Sequence, residues 1–311
     1  MDKPGILVIA GPTAAGKTAV SIAMAKRYGG EIVSCDSMQL YKYMDIGSAK
    51  PTPEEMDGIP HHMIGVIDPR EPFSVAMYQQ MAGNAIEDIL QRGKLPVICG
   101  GTGLYLNALL YEMDFGPSRR DDAYRKTLTD IAENEGEEAL HRRLAAADPA
   151  AAARIHPHNV KRVIRALEAA ELDGQPLSAF EQVRKKSDSY TARLLGVTWD
   201  RETLYRRIDE RVDAMIEAGL EDEVRGLMAQ GFTSDDISMK GIGYKELLDH
   251  FAGLYPREEA IRLIKRNTRH YAKRQLTWFR RYEEMVWFNG SDYPDTKTWL
   301  EDMYEWADRK S

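Results

Sequence analysis

Gly11, Pro12, Thr13, Ala14, Ala15, Gly16, Lys17 and Thr18 follow the pattern G-x-x-x-x-G-K-[ST] and carry the chemistry of a diphosphate site. The glycines let backbone N–H groups wrap an anion at a helix N-terminus, Lys17 adds a point charge, and the Thr18 hydroxyl can ligate Mg²⁺. A carboxylate, Asp36, directly follows a second apolar run and opens the string Asp36, Ser37, Met38, Gln39, Leu40, Tyr41. There it could take a proton from a nucleophile attacking a group carried by the diphosphate, hold Mg²⁺ through water, or merely cap a helix. A second glycine loop, Gly100, Gly101, Thr102 and Gly103, offers N–H groups and a hydroxyl to leaving-group oxygens, or is a plain turn. A nucleotide hydrolase needs, in addition, an apolar strand ending in a carboxylate that holds Mg²⁺. Both candidates are poor. Asp68, at the end of the run 63–68, precedes a proline and reads as a turn opener, and Asp200 after Trp199 is equally ambiguous. The loop without hydrolytic machinery points to a diphosphate that leaves, not to a nucleotide that is cleaved.

A net charge of −7 argues against indiscriminate nucleic-acid binding, but the cations are segregated. Residues 257–281 hold nine Lys and Arg against Glu258 and Glu259, and residues 154–165 hold Arg154, Lys161, Arg162 and Arg165 with no acid. Read as a helix, the longer segment puts Ile261, Ile264, Thr268, Tyr271, Gln275 and Trp278 on one stripe and Arg262, Arg266, Arg269, Lys273 and Arg280 on another. Two such patches on an otherwise acidic chain read as the footprint of RNA, although a single basic helix would read as a solvated face. Arg201, Arg206, Arg207 and Arg211 could reach the diphosphate or pair with Asp209 and Glu210. His156 and His158 lack ligand spacing, and Cys35 and Cys99 read as small core residues, not as a disulfide or metal pair.

These residues need elements to position them. Apolar runs at 6–10, 31–35 and 95–99 each end in a glycine or an Asp-Ser turn, the way parallel strands feed helices; 194–199 and 286–288 add two more strands. Ligands in such sheets sit beyond the carboxyl ends of the strands. Between about 117 and 189 strand signals stop, and helices are expected at 119–135, 137–147, from Pro149 behind an Asp148 cap, at 159–172 and at 178–186. The predicted fold is α/β: a P-loop NTPase-like parallel sheet flanked by helices, built from 1–116 and 193–311, with an all-helical insertion domain at 117–192. The 311 residues are 43% hydrophobic, enough for a large core, and neither a leader pattern nor an apolar run of membrane length is present. A cytoplasmic protein that engages no membrane is expected.

The strings GPTAAGKT, DSMQLY, GGTGLY, NVKRVIRALE, GIGYKE and KRQLTWFR, in this order over nearly the whole length, closely resemble the bacterial tRNA dimethylallyltransferases. The resemblance implies transfer of a dimethylallyl group from dimethylallyl diphosphate to N6 of adenosine 37, in the anticodon stem-loop of tRNAs reading codons that begin with U. It implies Mg²⁺ as cofactor, held at Thr18, and a chain acting as a monomer. Asp36 would hydrogen-bond N6 and take its proton, Lys17 and the loop would stabilise the leaving diphosphate, and Thr102 and Arg125 would contact substrate at the reaction centre. Ser37 and Gln39 would read the adenine, within an expected RNA-contacting set of Asp36, Ser37, Met38, Gln39, Lys161, Arg162, Arg165, Gly241, Gly243, Tyr244, Arg269, Lys273 and Arg274. Ala15 stands where many members have Ser, and the loop does not require that hydroxyl. A small-molecule kinase would use the same loop without the basic patches, an RNA-binding ATPase would make Asp36 dispensable, and an adenylate isopentenyltransferase would not need the long insert.

Overall fold

The computed structural model describes residues 5–113, 121–172 and 185–309. Residues 6–10 are apolar at every position, the signature of a strand covered on both faces, and they form the central strand β1 (Gly5–Ala10). It is followed by β2 (Gly30–Ser34), β3 (His61–His62), β4 (Leu95–Gly100), β5 (Thr191–Thr198) and β6 (Val286–Asn289). All six run parallel in the order β3-β2-β4-β1-β5-β6. The register sets Ala10 opposite both Gly100 and Gly196, and Ser34 opposite Cys99, so the strands end level with one another. The run 63–68 does not continue β3. Met63 and Gly65 both take left-handed backbone (φ 62° and 59°), which breaks the extended chain, and Ile67 makes an isolated parallel bridge to Tyr41 outside the sheet.

Among the described residues the helices are α1 (Lys17–Tyr28), the single turn α2 (Pro53–Met56), α3 (Val75–Gln91), α4 (Gly103–Leu110), α5 (Asp122–Asn134), α6 (Glu137–Ala147), α7 (Pro149–Ala152) and α8 (Val160–Glu171). After β5 come α9 (Arg201–Glu217), α10 (Leu220–Ala229), α11 (Tyr244–Phe251), α12 (Arg257–Phe279) and α13 (Thr296–Asp308). Residues 1–110 and 188–311 form one compact unit and 111–187 a second, where the sequence led us to expect 117–192. Among its described residues the second unit is helical apart from an antiparallel bridge between Tyr111 and Lys186. The helix expected at 178–186 falls largely outside the described residues. Its other helices enclose Leu128, Leu140, Leu144, Val163 and Leu167, and Asp148 caps α7 by accepting from the Ala151 N–H at 3.0 Å, with Pro149 in the first turn. At the amino edge of the sheet, Glu31 of β2 is 2% exposed and gathers Arg92, Lys94 and His62 around its carboxylate. Among the described residues no helix is long and apolar enough to cross a membrane.

Candidate active site

Because the strands are parallel, the loops after β1, β2 and β4 share the carboxyl edge of the sheet. The phosphate-type loop leaves β1 at Gly11, which lies so near β5 that a Cβ there would collide with the Val197 carbonyl. Gly16 caps α1 in left-handed backbone (φ 97°), and Ala14 takes φ 62°, a strain of roughly 1 kcal/mol that the surroundings must offset. Those surroundings hold the loop from behind. Arg207 Nε donates to the Ala14 carbonyl and Trp199 Nε1 to the Ala15 carbonyl, both at 2.9 Å, while the Arg207 guanidinium stacks over the Trp199 ring at 4.6 Å. Thr13 N–H donates to Gln275 Oε1 at 2.8 Å, and Lys17 Nζ donates to the Pro12 carbonyl at 2.8 Å. Burial lowers the Lys17 ammonium to about 8, with the neighbouring Asp36 charge opposing that shift and Arg211 adding to it.

A cavity of about 330 Å³ is lined by Thr13, Lys17 and Thr18, by Asp36, Ser37, Met38 and Gln39, and by Arg211 and Arg274. Ile208, Val212, Met215 and Ile264 give it an apolar wall. Arg211 is desolvated there, which lowers its pKa, with Asp36 the main opposing charge. Asp36 does not cap a helix: its Oδ1 accepts from the Met38 N–H at 2.9 Å, closing a tight turn that leaves the carboxylate on the cavity wall. No group of three or more His, Cys, Asp or Glu side chains is clustered for a metal among the described residues. One hydroxyl beside a phosphate loop does fit Mg²⁺, which keeps most of its waters and is brought in on phosphate oxygens.

Other expected site residues fall differently. Thr102 Oγ1 accepts from the Ser37 N–H at 3.0 Å and donates to Ser37 Oγ at 3.3 Å, so it supports the Asp36 loop beside the cavity. The Gln39 carboxamide accepts from Ser34 Oγ at 2.8 Å and donates to the Ala49 carbonyl at 3.1 Å, an internal engagement not foreseen for a base reader. Gly241 and Gly243 line the cavity, while Tyr244, beside them, is 0% exposed and its hydroxyl donates to Glu223 at 2.7 Å. Glu223 also accepts from the N–H groups of Asp45, Ile46 and Gly47 and so fixes the loop along the cavity. On α12, Lys273 and Arg274 are exposed, whereas Arg269 pairs with Asp209. Lys161 and Arg162 are exposed in the 111–187 unit, Arg165 pairs weakly with Glu168 at 3.9 Å, and Arg125 binds Glu168 through two contacts of 2.7 Å. Asp68 accepts from the Arg70 N–H at 3.0 Å as a turn opener, and Asp200, at the start of α9, accepts from Asn289 at 2.9 Å. Burial pushes the Cys35 thiol up to about 12 and raises Cys99 as well, so neither is a nucleophile; both are free.

Reasoning from sequence missed the supports: Trp199, Glu223 and Gln275. The one available signal was a glutamine in the largely apolar stripe of α12.

A family model described as IPP transferase matches residues 39–282, and one described as isopentenyl transferase matches 4–65. A tRNA dimethylallyltransferase of Geobacillus kaustophilus is 53% identical over 287 residues, covering 92% of this chain and 91% of the relative. That of Alkaliphilus oremlandii is 50% identical, covering 94% and 93%. Among solved structures, the tRNA isopentenylpyrophosphate transferase of Bacillus halodurans is similar at TM-score 0.74 and 45% identity, covering 98% of this chain and 96% of that one. A eukaryotic dimethylallyltransferase acting on tRNA gives TM-score 0.82 at 31% identity, covering 98% and 77%.

Proposed function

The chain belongs to the IPP transferase family, and from that membership we propose how its residues carry out the reaction. It is a tRNA dimethylallyltransferase in activity: the dimethylallyl group passes from dimethylallyl diphosphate to N6 of adenosine 37 in tRNAs reading UNN codons. The N6–C1 bond forms as the C1–O bond breaks, the bonding pair leaves with the diphosphate, and the N6 proton goes to Asp36. Adenine N6 is a weak nucleophile because its lone pair is delocalised, so in-line positioning and an easily leaving diphosphate must supply the rate. Lys17 and the loop N–H groups bind the diphosphate, with Arg211 adding charge to the same cavity. Mg²⁺, held by Thr18 and phosphate oxygens, would supply further neutralisation of the leaving group. Ile208, Val212, Met215 and Ile264 shelter the allyl chain from water. The adenine is turned out of the anticodon loop to reach Asp36, since a stacked base cannot present N6 to a buried carbon. We assign the active species as a monomer in the cytoplasm, where tRNA is its partner.

The observation that carries the mechanism is the meeting of Lys17, Thr18 and Asp36 on one cavity with an apolar wall. The test is incubation with labelled dimethylallyl diphosphate, Mg²⁺ and unmodified tRNA, followed by digestion to nucleosides. Label in N6-(dimethylallyl)adenosine from the anticodon loop is expected; RNA-stimulated ATP turnover without label transfer would replace this reading with an ATPase.

A further inference from the structure

Gln275 sits on α12 and is 5% exposed. A buried carboxamide must find partners for its oxygen and its N–H groups. This one bridges two backbone loops: Oε1 accepts from the Thr13 N–H at 2.8 Å and Nε2 donates to the Gly101 carbonyl at 2.9 Å. The close approach is built into the sequence. A Cβ at Gly101 would collide with Gln275 Nε2, and one at Gly103 with the Trp278 indole, three residues further along α12. From Gly101 the bonding continues into the loop that bears the carboxylate. The Thr102 N–H donates to the Cys35 carbonyl at 3.0 Å and Thr102 Oγ1 accepts from the Ser37 N–H at 3.0 Å, one on each side of Asp36.

We infer that Gln275 is a positioning residue for the transfer: its carboxamide sets the separation of the phosphate loop and the 100–103 turn, and so aligns a loop-bound allyl diphosphate with a nucleophile held at Asp36. The inference rests on the reaction proposed above. Because Oε1 occupies the Thr13 N–H, that group is withdrawn from the anion's donors and the loop is tied at its first turn before any ligand arrives. Alignment matters because a displacement of about 1 Å can cost roughly 10²-fold in rate.

Two variants test it. Gln275→Met keeps length and burial but bonds neither loop. Gln275→Glu keeps the acceptor, and only its protonated carboxyl can also donate to the Gly101 carbonyl. For Gln275→Met we expect tRNA affinity within about 2-fold of wild type and single-turnover transfer at saturating dimethylallyl diphosphate lower by roughly 10–100-fold. Its calorimetric affinity for inorganic diphosphate should fall several-fold. For Gln275→Glu, transfer relative to wild type should rise as the pH falls from about 8 to about 6, because a carboxyl buried against a carbonyl takes its proton well above the usual range. Relief of a buried charge would also recover as the pH falls, so the deciding comparison is with Gln275→Met at about pH 6, where the protonated carboxyl of Gln275→Glu should transfer faster than the neutral thioether that bonds neither loop; equal rates there would overturn the inference. Wild-type transfer by Gln275→Met, or a ratio for Gln275→Glu that is flat with pH, would overturn the inference. If the wild type itself transfers nothing, the reaction is wrong; unchanged diphosphate binding in Gln275→Met would then also reject the bridge, and weakened binding would uphold it.

Discussion

Asp36 can be separated from a merely structural turn residue by a change of one atom. Asp36→Asn retains an oxygen for the Met38 N–H, which lies 2.9 Å from Oδ1 in the wild type, but it cannot take a proton. Binding of tRNA and dimethylallyl diphosphate should persist while single-turnover transfer falls by roughly 10²–10⁴-fold, the scale of a lost general base. Near-wild-type transfer in Asp36→Asn would reject the role. Lys17 predicts a pH effect of definite sign. Burial places its ammonium at about 8, so the free protein loses this charge as the pH rises through that value. Inorganic diphosphate affinity, followed by calorimetry from about pH 7 to about pH 9, should weaken in the wild type and vary less in Lys17→Met. Equal pH dependence in the two proteins would show that Lys17 does not titrate against the anion.

At the scale of elements, Glu31 ties β2 to β3 and β4 at the edge opposite the cavity, through Arg92, Lys94 and His62. Hydrogen bonds from Arg92, outweighing desolvation, hold its carboxyl well below the usual carboxylate range. A depressed pKa means that its contribution is complete above the unfolded value, near 4.5, and is lost as the pH falls towards the folded one. Glu31→Ala should cost about 2 kcal/mol in urea unfolding at pH 7, less than the roughly 3–5 of a fully buried pair because Arg92 and Lys94 are partly solvated. Transfer by the folded fraction should be unchanged; a loss of stability that persists undiminished at pH 3 would show that packing, not charge, is at work. Elements of this kind were legible in the sequence wherever one local signal sufficed: the uniform apolar run of β1, the Asp148 cap, the glycine of the phosphate loop. The two-residue strand β3 was not, because His61–His62 carries no apolar pattern to mark it. Asp36 could be placed at the cavity from its position after β2, whereas the roles of Thr102, Tyr244 and Gln275 depend on partners distant in the chain, at Ser37, Glu223 and Thr13.

At the scale of the whole molecule, tRNA binding should be governed by phosphate contacts and should weaken steeply with salt. Lys273→Glu is the cleaner probe of α12, since reversing Arg269 would also strand Asp209. Anisotropy titrations between about 50 and 200 mM salt should show weaker binding and a log–log slope shallower by about 1, with diphosphate affinity unchanged. An unaltered slope would make that stripe a solvated face. The sheet order has a consequence for the biosynthesis of the chain. β1 is the first strand made, yet one of its two neighbours, β5, begins only at Thr191, and Gln275 follows later still. A ribosome that has delivered only the first 110 residues has therefore released a central strand with one side unpaired, a template for association with other chains until translation has passed the insertion. The phosphate loop, first in the sequence, is completed nearly last. Incomplete chains thus carry the phosphate-loop motif before the residues that hold its backbone, Trp199, Arg207 and Gln275, have been made.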